Sequence, residues 1–168
     1  MTTPGTCQTF ARYNTWMNGK LYAACADLDD HTRKTDRGAF FKSLHGTLDH
    51  ILLGDRIWLS RLTGSDYPRA AIGTELYEDF EDLAAARRAM DAEIEAFADG
   101  LTQEWLAKPL SWTSALDGTK RSHPRWLLVT HLFNHQTHHR GQATTLLSQL
   151  GVDIGSTDLP WLPQVGEI

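Results

Sequence analysis

PRWLLVTHLFNHQTHHRGQATTLLSQL, residues 124–150, decides how this chain is built. Advancing ~100° per residue along a helix puts Leu128, Leu132, His135, His139, Ala143, Leu146 and Leu150 on one stripe. The stripe is apolar on both sides of the histidine pair, so the pair faces other helices. Pro124 suits the first turn of such a helix, and Gly151 suits a left-handed cap just beyond its end. Residues four apart stand one above the other on a helix, and two imidazoles so placed can share one metal ion. Burying them costs free energy unless each ring finds a partner. A metal satisfies both at once; buried water or a carbonyl is the alternative.

Three further stretches read as helices. The first, about 7–29, carries Phe10, Tyr13, Met17, Leu21, Ala24 and Leu28 at three- and four-residue steps. The second, about 38–62, carries Phe41, Leu44, Leu48, Ile51, Leu52, Trp58, Leu59 and Leu62, with Gly64 as its stop. The third, about 77–99, has Leu83, Met90, Ile94 and Phe97 as a seam, and its many carboxylates read as a solvated outer face. Between helices three and four, Asp117-Gly118 favours a tight turn with positive φ and a short hairpin, while KRSHPR (120–125) reads as a solvated turn. STDLPWLPQVGEI (156–168) reads as an irregular tail or a single turn pinned by Trp161. The expected fold is all-α, an antiparallel four-helix bundle in one domain over 1–168, and such bundles place metal sites between facing helices.

Composition narrows the function. The formal net charge is −5 and the basic residues are scattered, which argues against a groove that tracks phosphates, so nucleic acid is a poor partner. No apolar run approaches the ~18 residues of a membrane span, and MTTPGTCQTFARYN lacks the basic start and apolar block of a signal peptide. Cys7 and Cys25 are the only cysteines, which suits a reducing cytoplasm; beside Ala23 and Ala24, Cys25 reads as a buried structural thiol. No Gly-rich phosphate cradle, GxSxG elbow or CxxC is present.

Two ligands hold a divalent ion poorly, so a third is expected from another helix. His50, on the flank of the second helix beside Gly54 and Ile57, is the candidate. Three neutral imidazoles leave a coordination position open, as a catalytic-type site requires. His45 falls with Lys42, Asp49 and Arg56 on the polar side and reads as exposed, as do His31 and His123 in loops. His131 lies one turn before His135; a ring hydrogen-bonded in the core is preferred to a fourth ligand. His138 points ~60° off the stripe, as a group that either backs a ligand or faces substrate, and Gln142 lies above the pair, placed to hydrogen-bond a ligand or substrate. Asp55 either orients a metal-bound histidine or pairs with an arginine such as Arg140. Asn14 and Asn18 read as hydrogen-bonding helix residues. Gly141 costs its helix ~1 kcal/mol unless a neighbouring backbone needs the space.

NHQTHHRGQ (134–142), LDHILLGDRIWL (48–59) and ARYNTWMN near the start together resemble the DinB family of metal-dependent four-helix proteins, related to the YfiT proteins. The resemblance covers nearly the whole chain. It implies a three-histidine centre on His50, His135 and His139, the same three reached from the residues, with nickel, zinc, iron or manganese as the occupant. Relatives include mycothiol-dependent maleylpyruvate isomerase and bacillithiol S-transferases, which implies a low-molecular-weight thiol as cofactor and a small-molecule substrate. Homodimers recur in the family, and Trp16, Trp58 or Trp126 could contribute to an interface.

Three functions are then in competition. The leading one is a metal-dependent thiol S-transferase or isomerase, in which a bound cation generates thiolate. A metal-dependent hydrolase would need a general base, for which Asp55 is the one inward carboxylate. A non-catalytic metal-binding stress-response module acting through a partner would need a closed fourth position, filled by His131 or a carboxylate.

Overall fold

The Thr3 side chain accepts from the Thr6 N–H at 3.2 Å, and Pro4 follows it, so α1 begins at Pro4 and runs to Ala26. The structure, a computed structural model, describes residues 1–67, 71, 73–114 and 117–163. α2 is a short helix, Asp30–Lys34, capped by Asp29. α3 spans Leu44–Thr63 and stops at Gly64 as expected, with a left-handed φ of 81°. α4 is Phe80–Asp99, α5 is Gln103–Ala107, and β1 (Pro109–Thr113) pairs antiparallel with β2 (Lys120–Pro124). α6 is Arg125–Gln149, preceded by Pro124 and followed by Gly151 at φ 76°. A 3-10 turn, Leu159–Trp161, lies near the end.

The chain is therefore mostly helical rather than all-α, with six α-helices and a two-stranded sheet among the described residues. The four long helices expected from periodicity are α1, α3, α4 and α6. α3 packs against α6 and α4, and α1 against α4 and α6. No helix among the described residues is long and apolar enough to cross a membrane.

Several local expectations are corrected. α3 begins six residues later than the periodicity implies, because Ser43 caps it, its Oγ accepting from the Gly46 N–H at 3.0 Å. Residues 37–43 form a tight turn instead, closed by Arg37 N–H to the Lys42 carbonyl and Lys42 N–H to the Ala39 carbonyl, both 2.8 Å, with Lys42 at φ 65°. KRSHPR is not a turn but supplies β2; Gly118, at φ 68°, makes the bend before it. Ala115 and Leu116 of that loop, and residues 164–168 of the tail, lie outside the described residues. Leu162 is buried in the tail, whereas Trp161 is 65% exposed and pins nothing. In α1 the buried face runs through Cys7, Ala11, Asn14, Asn18, Leu21 and Cys25, and Phe10, Tyr13 and Ala24 lie at its edge.

Nor is the charged surface of α4 wholly solvated. Arg87 and Asp91 are buried, and they anchor a polar cluster in the middle of the molecule. Arg87 Nη1 meets Asp55 Oδ2 at 2.5 Å and its Nη2 meets Asp91 Oδ1 at 2.9 Å. Asn14 and Asn18 both donate to Asp91 Oδ1, Gln136 Nε2 donates to Asp55 Oδ1, and Arg140 Nη1 donates to Asn14 Oδ1. Burial pushes both carboxyls upward while Arg87 pulls them down; burial also opposes the Arg87 charge, but Asp55 and Asp91 outweigh it and hold the guanidinium charged. Two carboxylates and two guanidiniums thus meet in the interior with their charges balanced, which makes such burial tolerable.

Candidate metal centre

The second turn of α3 and the middle of α6 bring His50, His135 and His139 together. Their rings stand 4.4 Å (His135–His139), 4.6 Å (His50–His139) and 5.2 Å (His50–His135) apart between centroids. One nitrogen from each lies within 4.8 Å of the others, and no carboxylate or cysteine joins them among the described residues. His50 and His139 each keep only 9% of their surface exposed.

Gly54 makes the approach possible. A Cβ at this position would lie 2.5 Å from His135 Cε1 and 3.1 Å from its Nδ1, so the imidazole lies where any other residue of α3 would place its side chain. Phe41 covers the other side: its ring stacks on His50 at 3.7 Å and 18°, and meets His139 edge-on at 5.5 Å. Neither role is apparent from periodicity, which puts Phe41 inside the helix and Gly54 merely beside His50. A glycine one turn from a candidate ligand, inside a helix, was the available signal.

Burial lowers all three basicities. Desolvation first, then the His139 neighbour, brings His50 down to about 4. Desolvation and the surrounding histidines bring His135 down to about 3, and desolvation also lowers His139. At neutral pH the rings are uncharged and their lone pairs are free for a cation. His139 Nδ1 donates to Gln142 Oε1 at 2.7 Å, which sets that tautomer and leaves the Nε2 lone pair free. The buried Nδ1 atoms of His50 and His135 have no hydrogen-bond partner among the described residues.

The remaining candidates are elsewhere. His45 is buried, not exposed: its Nε2 donates to the Tyr77 carbonyl at 2.7 Å. Asp49, also buried, accepts from the Leu76 and Tyr77 N–H groups, so the pair ties the segment before α4 onto α3. His131 is exposed rather than hydrogen-bonded in the core, its ring edge-on to Trp58 at 4.7 Å. His138 is exposed, 4.7 Å from the His139 ring. His31 and His123 are exposed as expected, but on α2 and β2 rather than in loops. Asp55 pairs with Arg87, not Arg140, and orients no histidine. Both cysteines are buried, and desolvation lifts Cys7 to about 11 and Cys25 to about 12, so neither supplies a thiolate.

The chain resembles known proteins over nearly its whole length. The DinB family model matches residues 1–167. The chain belongs to the DinB family. It is 28% identical over 153 residues to Protein DinB of Bacillus subtilis (strain 168), covering 87% of each chain. A crystal structure of a DinB-like protein from Bacillus cereus ATCC 10987 superposes with a TM-score of 0.65 at 21% identity, covering 88% of this DinB chain and 94% of that one. At that identity the likeness speaks for the fold.

Proposed function

We propose that His50, His135 and His139 hold a divalent metal ion, and that the centre serves a thiol S-transferase or isomerase acting on a small electrophilic substrate. The observation that carries this reading is the convergence of three uncharged imidazoles from two helices, with no fourth protein ligand in the cluster among the described residues. The donor set fits a borderline divalent ion such as nickel, zinc, iron or manganese. The unpartnered Nδ1 atoms and the Gly54 cradle fit it as well.

A bound cation supplies a Lewis acid that lowers the pKa of a coordinated thiol. Around it, Gln142 holds the His139 ring by its Nδ1 proton, Gly54 lets His135 lie against α3, and Phe41 keeps water from one face of His50. The hydrolase alternative is disfavoured because Asp55, its general base, is fully buried and engaged by Arg87 and Gln136. The closed-site alternative is disfavoured because His131 turns to Trp58 instead of joining the cluster. The reading is completed by the four long helices as an antiparallel bundle in a single domain, forming a cytoplasmic homodimer.

The test is metal analysis of untagged protein beside His50→Ala and His139→Ala. Near-stoichiometric metal in the wild type, lost in both variants with helical circular dichroism retained, is expected. A wild type that neither carries metal nor binds added nickel or zinc would overturn the reading.

A further inference from the structure

The three histidines occupy one end of a longer seam between α3 and α6. His50 meets His139, Gly54 lies under His135, and Trp58 meets His131 at 4.7 Å, so the two helices run antiparallel in a constant register. On α3, His50, Gly54, Ile57 and Arg61 recur at steps of four, three and four and share one face. Arg61 lies seven residues beyond Gly54, roughly 10 Å further along the axis.

The Arg61 side chain is half-buried, with its guanidinium 4.7 Å from the centre of the Trp58 ring. It makes no hydrogen bond or ion pair among the described residues. Arg56, by contrast, donates to the Tyr77 hydroxyl at 2.8 Å. Trp112 of β1 meets Trp58 edge-on at 5.8 Å and fixes the ring on which the guanidinium rests. Stacking leaves the planar fork of N–H donors pre-organised and unused, the geometry that takes a carboxylate in two parallel bonds. From that fork, Trp58 and then His131 form a continuous wall of rings leading to His135, 6.0 Å from His131.

We propose that the α3–α6 seam binds a reactant of the three-histidine centre by its carboxylate, with Arg61 as the partner and the Trp58 and His131 rings as the wall between anchor and reacting atom. The inference rests on the metal-centre reading for its reacting atom, but not for the carboxylate site itself. The ligand class is a small acid that carries its carboxylate apart from its reactive group, since anchor and centre are separated by on the order of 10 Å of helix axis. Either the thiol or its electrophilic partner can carry that acid, and the two are separable by experiment.

The full chain is loaded with cobalt(II), and thiolate binding is followed by the sulfur-to-cobalt absorption band. Glutathione is compared with its diethyl ester, which keeps the thiol and masks both carboxylates. Separately, adipate is titrated into the same protein and followed by tryptophan fluorescence, which reads the Arg61–Trp58 site without any thiol. Wild type, Arg61→Gln and Arg61→Lys are compared. Saturable adipate binding that weakens at least tenfold in Arg61→Gln and is partly restored in Arg61→Lys is expected. A glutathione preference of tenfold or more over the diester, lost in Arg61→Gln, would assign the carboxylate to the thiol. Equal binding of both thiols, with adipate still dependent on Arg61, would assign it to the electrophile. Arg61-dependent adipate binding with no thiolate band would support the anchor while sinking the thiol reading of the centre. Adipate binding that is absent, or unchanged in Arg61→Gln, overturns the proposal whatever the cobalt spectrum shows.

Discussion

His50, His135 and His139 are bases that the fold keeps from their protons. Each binds a proton less readily in the folded chain than in the unfolded one, where a histidine titrates near 6.5. As pH falls below that value the unfolded state takes up protons first, so stability rises with pH in this range. What the metal-free protein possesses above about pH 6.5 is lost as pH falls towards 4 for His50 and 3 for His135. Between pH 6.5 and 5 this amounts to about 2 kcal/mol for each ring that stays neutral. Urea denaturation of metal-free protein at pH 7 and pH 5 should show the loss, and His135→Leu should lose about 2 kcal/mol less over the same interval. An unchanged pH slope in that variant would mean that His135 is not held neutral. The pairing of His135 with His139 was legible because residues four apart on a helix need no tertiary knowledge to be placed together. His45 was not: which side of α3 is buried depends on the segment at Leu76 and Tyr77 that folds across it, and no periodicity within α3 reports that.

Two glycines inside helices play opposite roles. Gly54 of α3 lies under His135, whereas a Cβ on Gly141 of α6 would meet nothing within 4 Å. Exposed on its helix, Gly141 carries only the propensity cost relative to alanine. Gly141→Ala should therefore raise stability by about 1 kcal/mol and leave metal affinity unchanged. Gly54→Ala gains the same propensity but drives a methyl into the imidazole, so it should weaken metal binding at least tenfold in a chelator competition. Equal metal affinity in the two variants would remove Gly54 from the architecture of the centre. From sequence the pair look alike, since each interrupts a good helical pattern; only the facing helix tells them apart. The beginning of α3 escaped for a related reason. Phe41 fits the apolar period of the helix, but Ser43 offers a cap two residues later, and the turn it follows lays that ring on His50 instead.

Across the molecule, a polar core draws residues from all four long helices: Asn14 and Asn18 from α1, Asp55 from α3, Arg87 and Asp91 from α4, Gln136 and Arg140 from α6. Removing one charge from such a cluster leaves its partners buried without compensation. Arg87→Met should cost about 3–5 kcal/mol in chemical denaturation, because Asp55 and Asp91 both lose their guanidinium. In an Asp55→Asn background one of those carboxylates is already neutral, so the same Arg87→Met change should cost clearly less. Additive costs would show that the two side chains do not act as an ion pair. Asp55 and Gly54 are neighbours on α3, and Gln136 and His135 are neighbours on α6, yet the polar pair meets on the inner side of the helices while the glycine and imidazole meet in the seam. Stability and metal binding should therefore separate. Asp55→Asn protein that remains folded is expected to carry metal at the wild-type stoichiometry, as read by metal analysis after desalting. Loss of the metal from that folded variant would instead make Asp55 a residue that orients the histidines through Gln136, and would join the polar core to the chemistry of the centre.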